Sequence, residues 1–100
     1  MDLNHFASWV KRRWSGRRDD MTLAIAALGL CGESGEVSEP IKKYLRGSGP
    51  VDVNALRLEL GDVLHYWCVI ANHYELPVEE IMMANVLKLQ EREMANRQSR

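Results

Sequence analysis

The two stretches Leu28-Gly-Leu-Cys-Gly-Glu-Ser-Gly-Glu-Val-Ser-Glu-Pro-Ile-Lys-Lys43 and Leu58-Glu-Leu-Gly-Asp-Val-Leu-His-Tyr-Trp67 decide the fold of this chain. Around the first, Leu23, Ala27, Leu30, Ser34, Val37, Ile41 and Leu45 recur at helical spacing. Around the second, Leu56, Leu60, Val63, Trp67 and Ile70 do the same. Each stretch therefore reads as a long helix with one core-facing stripe. Each also carries a pair of acids, Glu33-x-x-Glu36 and Glu59-x-x-Asp62, separated by 22 residues. Residues three apart share a helix face, so each pair projects two carboxylates in one direction. Glu33 and Glu59 border the apolar stripes. Carboxylates at the edge of a core are costly unless a positive charge compensates them. Four of them on two facing helices make a set of hard oxygen ligands suited to Mg²⁺, with Mn²⁺ as a substitute.

Working outward, the spacing predicts four helical segments and no strands. Leu3, Phe6, Val10 and Trp14 place the first over about Asp2–Trp14, with Asp2 as its cap. The second runs from about Met21 to Arg46, after a polar connection over Arg17–Asp20. Gly47-Ser48-Gly49-Pro50 is the clearest break. The third spans about Val53–Tyr74 with Asp52 as its cap. The fourth starts at Leu76-Pro77, since proline is welcome in a first turn. It runs to about Asn96, with Val78, Ile81, Met82, Val86 and Leu89 as inner residues and a frayed end over Gln98–Arg100. Pro40 falls inside the second segment and opposes the carbonyl of Glu36. A kink or break near Glu39, or a plain helix boundary, is expected there. Short connections between antiparallel helices predict a compact all-α bundle, and residues 1–100 read as a single domain.

Composition narrows the function classes. The net charge of -1 argues against a chain built for nucleic acid polymers. Lys11, Arg12, Arg13, Arg17 and Arg18 nevertheless cluster near the N-terminus, either as a solvated face or as a basic wall beside a phosphate site. Cys31 and Cys68 read as small, reduced core residues. No apolar run reaches membrane-spanning length, and Asn4 and His5 before Phe6 do not suit a signal peptide. A cytoplasmic protein with no membrane partner is expected.

Further residues point the same way. Gly29, Gly32, Gly35 and Gly61 each cost about 1 kcal/mol relative to Ala inside a helix. That cost suggests close helix packing or close approach of a ligand. Asn85, Lys88 and Arg92 form one stripe on the fourth segment and suit phosphate oxygens. Lys43 follows the first acid pair and is a further candidate for a phosphate contact, although cations are also favoured near a helix end. Trp9, Trp14 and Trp67 read first as core residues. One tryptophan of the first helix, Trp9, is a candidate platform for a nucleobase. Asp62-x-x-His65 resembles half of a di-iron ligand set, but the first helix pair has no histidine.

Residues 28–43 resemble the first signature of MazG-like nucleoside triphosphate pyrophosphohydrolases. Residues 58–67 resemble the second, and Ala84-Asn-Val-Leu-Lys-Leu-Gln-Glu-Arg92 resembles the family's final helix. The resemblance spans about residues 20–95 with its three parts in order. It implies an all-α NTP pyrophosphatase fold, a four- to five-helix antiparallel bundle completed by oligomerisation as a homodimer or homotetramer. It implies Mg²⁺-dependent hydrolysis of a (deoxy)nucleoside triphosphate to monophosphate and pyrophosphate, in the service of nucleotide-pool housecleaning. By carry-over, Glu33, Glu36, Glu59 and Asp62 hold metal, and Asn85 and Lys88 contact phosphates. Glu36 is the expected catalytic base. Base choice is expected from the first helix, around Phe6, Trp9 and Trp14, or from a second subunit. The alternative from another class is a non-catalytic helical interaction or metal-binding protein; a redox di-metal protein is a third.

Overall fold

The computed structural model describes residues 1–98, which form four α-helices: α1 (Leu3–Arg13), α2 (Asp20–Leu45), α3 (Val53–His73) and α4 (Val78–Gln98). Three aspartates start three of them. The Asp2 carboxylate accepts from the His5 amide at 2.8 Å, Asp19 from Thr22 at 2.7 Å and Asp52 from Ala55 at 3.0 Å. Each satisfies one of the amides that the first turn of a helix leaves unpaired. Asp2 and Asp52 are the expected caps. Asp19 is an addition, and it moves the start of α2 one residue upstream of Met21. The α1–α2 corner turns through Ser15 and Gly16, both with positive φ (53° and 64°).

The α2–α3 hairpin is the most extensive helix pair, and α1 packs across α3. The core comprises Ala7 and Val10 of α1, Ala26 of α2, Cys68 and Val69 of α3 and Val78 of α4. Gly29 sets the hairpin spacing. A Cβ there would stand 2.7 Å from the ring carbons of Tyr66, closer than any side chain tolerates. Gly32, Gly35 and Gly61 meet no such neighbour within 4 Å, so among these four glycines only Gly29 has a packing need within the chain.

Pro40 neither breaks α2 nor bounds it: the helix continues unbroken to Leu45, and Pro40 itself is buried. Proline removes one donor, here the partner of the Glu36 carbonyl. The downstream residues resume helical bonding, and the Ser38 hydroxyl donates to the Gly35 carbonyl at 2.6 Å just before the interruption. Cys68 is buried as expected, whereas Cys31 is exposed; it stands off the stripe that Leu30 and Val37 turn inward.

The fourth helix departs from the expected compactness. Val78 is buried and Ile81 half-buried, but Met82, Val86 and Leu89 are about half exposed, as are Met83, Leu87 and Met94. Asn4 donates to Glu79 at 3.0 Å and Arg18 pairs with Glu75, tying the start of α4 and the preceding turn to the rest of the chain. Ile81 still borders Leu30, Trp67 and Ile70 of the hairpin, and beyond it the large apolar residues of α4 are exposed. The radius of gyration is 16.9 Å, against about 13 Å for a compact chain of this length. Helical periodicity identifies an apolar face but not what covers it. Of the expected frayed end, Gln98 closes α4, and Ser99 and Arg100 lie outside the described residues.

Two outcomes test this packing. Gly29→Ala gains helix propensity yet loses more by overpacking, a cost of about 1–3 kcal/mol; thermal melts should show a clear fall in Tm. A thiol reagent at mildly alkaline pH should modify Cys31 in the native protein and spare Cys68, whose thiol is pushed up to about 11 by burial, until denaturant is added.

Candidate metal and phosphate site

Helix spacing and the Gly29–Tyr66 contact bring the acidic borders of α2 and α3 together. One carboxylate oxygen each from Glu33, Glu59 and Asp62 lie within 4.8 Å of one another. Glu33 and Glu59 are half-buried and Asp62 is exposed. The electrostatics are unfavourable as they stand. The Glu33 carboxyl is held above its ordinary value, first by desolvation, then by its hydrogen bond with Glu59 and by the charges of Asp62, Glu59 and Glu36. Glu59 Oε2 is buried without a hydrogen-bond partner. An orphaned anionic oxygen among like charges is the arrangement a divalent cation relieves, and an all-oxygen donor set suits a hard ion. These residues fit such an ion.

Glu36 is exposed and stands outside the three-acid cluster. It lines the adjoining cleft of about 500 Å³ with Glu39, Pro40, Lys43, Asp52, Ala55 and Glu59. Lys43, a candidate phosphate contact, thus lies in the same cleft as two of the four predicted acids. Glu39 and Asp52 are cleft residues that sequence reading gave no role at the site. Asp52 was legible only as a helix cap, which it also is.

Asn85 and Lys88 line a different cleft of about 580 Å³ with Leu76, Glu80, Ile81 and Ala84. Within one chain that cleft is separate from the acids, and Arg92 is exposed further along α4. Of the N-terminal cations, Lys11, Arg17 and Arg18 border a groove at the far end of α3, beside Val69 and Asn72.

On the α1 side of the acids lies an aromatic group. The Trp14 indole donates to His65 Nε2 at 2.9 Å. Trp9 meets His65 edge-on at 6.2 Å, Phe6 stacks on Trp9 at 6.1 Å, and the Arg13 guanidinium lies 5.7 Å from the Trp9 ring centre. Trp9 is 42% exposed. The Trp14–His65 bond was not legible in sequence, because 51 residues separate its partners. Among the described residues the convergent ligand group is Glu33, Glu59 and Asp62, and His65 Nε2 is engaged by Trp14.

The model of the MazG nucleotide pyrophosphohydrolase domain matches residues 22–95, most of the chain and all four acids. The chain belongs to the MazG nucleotide pyrophosphohydrolase family. It is also similar to the Gene 37 protein of Mycobacterium phage L5, 35% identical over 74 residues. That match covers 70% of this chain and 65% of the phage protein, so it spans just under two thirds of that relative's length. No solved structure gives a significant match. Among the described residues, no helix of this MazG-family chain is long and apolar enough to cross a membrane.

The raised pKa of Glu33 gives a signed prediction. A carboxyl that holds its proton more tightly when folded contributes stability below its unfolded value, and that contribution is lost as pH rises through the folded value. In EDTA, wild type should therefore lose stability relative to Glu33→Gln as pH climbs above the ordinary value of 4.5. With saturating Mg²⁺ at neutral pH the order should reverse, because the cation favours the ionised carboxylate. Paired thermal melts of the two proteins measure both.

Proposed function

We propose that this chain is a Mg²⁺-dependent nucleoside triphosphate pyrophosphohydrolase, which cleaves a (deoxy)nucleoside triphosphate to its monophosphate and pyrophosphate. The observation that carries the reading is the convergence of Glu33, Glu59 and Asp62 between α2 and α3, where Glu59 also has a buried oxygen without a hydrogen-bond partner, in a chain whose family is defined by nucleotide pyrophosphohydrolysis.

Glu33, Glu59 and Asp62 would hold the ion or ions, with Glu36 as a further ligand where the cleft meets the cluster. When bound, Mg²⁺ supplies charge neutralisation for the polyphosphate and acidifies coordinated water. The other roles fall to the protein. Glu36, exposed at the edge of the cluster, accepts a proton from the attacking water. The water oxygen bonds to the α-phosphorus, the bond from that phosphorus to the bridging oxygen breaks, and pyrophosphate departs with the electron pair. Lys43 faces the cleft with its charge among acids and contacts the phosphate chain as a point charge. Trp9, half open beside His65, borders the base.

Assembly completes the site in this reading. The exposed apolar residues of α4 and those of the hairpin, among them Leu28, Tyr44, Leu58 and Leu60, exceed the scattered singles normal for a monomer. A homodimer or homotetramer covers them and lets Asn85, Lys88 and Arg92 of one copy approach the acids of another. The role is removal of unwanted nucleotides from the cytoplasmic pool.

The test is release of pyrophosphate and monophosphate from a panel of NTPs and dNTPs with Mg²⁺, Mn²⁺ or EDTA. Metal-dependent release is expected from wild type. Glu59→Gln should abolish it, and Glu36→Gln should cut turnover by about 100-fold or more, in line with loss of a general base. Full turnover in Glu36→Gln would remove that residue's assignment. No release from any nucleotide, with no nucleotide binding by calorimetry, would leave an interaction protein.

A further inference from the structure

His65 stands out because its protonation state is fixed by geometry. The indole N–H of Trp14 is a donor only, and it meets His65 Nε2 at 2.9 Å. Nε2 must therefore accept, and the ring proton sits on Nδ1. The surroundings agree: desolvation and the Arg13 charge both favour the neutral ring, against a smaller opposing effect of Asp62. The Nδ1–H has no acceptor among the described residues, yet it is not among the buried, unpartnered side-chain atoms, which are Glu59 Oε2 and His73 Nδ1. It is an oriented donor that is unpartnered within the chain and not fully buried.

Its position narrows what that is. His65 follows Asp62 by three residues and so neighbours it on the α3 surface, displaced toward α1. The site thus has two unlike ends. Beyond Glu59 lies the polar cleft with Glu36 and Lys43, suited to metal and phosphates. Beyond Asp62 lie His65, Trp9, Trp14 and Phe6, with the Arg13 guanidinium over the Trp9 ring, which suit a flat ring or sugar carrying hydrogen-bond acceptors. A nucleotide with its phosphates at the acids would lay its base and sugar toward the aromatic end. We propose that His65 contacts the substrate directly: its Nδ1–H, fixed in place by Trp14, donates to an acceptor atom on the base or sugar of the bound nucleotide. Trp14 acts through His65 as a positioning residue. This rests on the hydrolase reading above.

His65→Phe keeps an aromatic ring and removes the donor. It should raise KM about tenfold, equivalent to about 1.4 kcal/mol, with kcat little changed. His65→Gln, whose amide both accepts from Trp14 and donates, should recover most of the loss. Trp14→Phe should raise KM less, because either ring nitrogen is then free to carry the proton. A KM rise confined to bases with a carbonyl at the reading position assigns the base; an equal rise across bases, larger for ribonucleotides or deoxyribonucleotides, assigns the sugar. Where His65→Phe fails to fold, nitrogen-15 histidine NMR on wild type serves instead. The His65 ring should show the Nδ1-protonated form, and its Nδ1–H signal should shift when a triphosphate is added with Ca²⁺ in place of Mg²⁺. Wild-type hydrolysis with an unchanged KM in His65→Phe, or nucleotide binding with an unmoved His65 signal, overturns this inference and leaves the hydrolase reading intact. Absence of both hydrolysis and nucleotide binding in wild type overturns the two together.

Discussion

Tyr66 lies so close over Gly29 that one added methyl group would stand 2.7 Å from its ring. That contact holds α2 and α3 near enough for their acidic borders to meet. Glu33 lies one turn beyond Gly29 on α2, and Asp62 one turn before Tyr66 on α3. The same closeness that packs the apolar stripes desolvates the Glu33 carboxyl and brings like charges to it, and the two effects in that order raise its pKa. In the proposed function, a divalent cation at this seam would offset the repulsion among these carboxylates, so that metal binding would stabilise an arrangement that is unfavourable in the free chain.

Around that hairpin the remaining helices divide the work. The first seals the aromatic side, with Val10 fully buried against the α3 core and Trp14 bonded to His65. The fourth is tied to α1 and its connection near its start, and its later apolar and cationic residues are exposed. A chain that leaves so many of its large apolar residues exposed has a modest core, as expected at 100 residues.

Most of the fold was legible because it rests on local signals. Apolar spacing gave the four helices, and Asp2 and Asp52 marked two starts through side-chain hydrogen bonds made within three residues. The acid pairs were legible for the same reason: their shared face follows from helix geometry alone. What stayed hidden depends on distant partners or on the whole protein. Pro40 looked like a breaker because its local cost is plain, while the burial that accommodates it is not. Cys31 was misread because apolar neighbours in sequence need not be neighbours in space. Met82, Val86 and Leu89 form the apolar face that periodicity identifies, yet all three are about half exposed, because periodicity marks a face and not what packs on it. The Trp14–His65 bond joins two helices with no pattern linking them, and the separation of Asn85 and Lys88 from the acids could be seen only once α4 was placed.

Whether the α2–α3 acids bind a divalent cation decides between a metal-dependent hydrolase and an interaction protein. The most direct measurement is Mn²⁺ titration followed by electron paramagnetic resonance, in which bound ion loses the signal of the free aqua ion. At neutral pH, wild type should take up Mn²⁺ saturably, Mg²⁺ should displace it, and Glu59→Gln should lose the tight component. Wild type that leaves the free-ion signal unchanged, or Glu59→Gln that binds as tightly as wild type, would contradict the central claim.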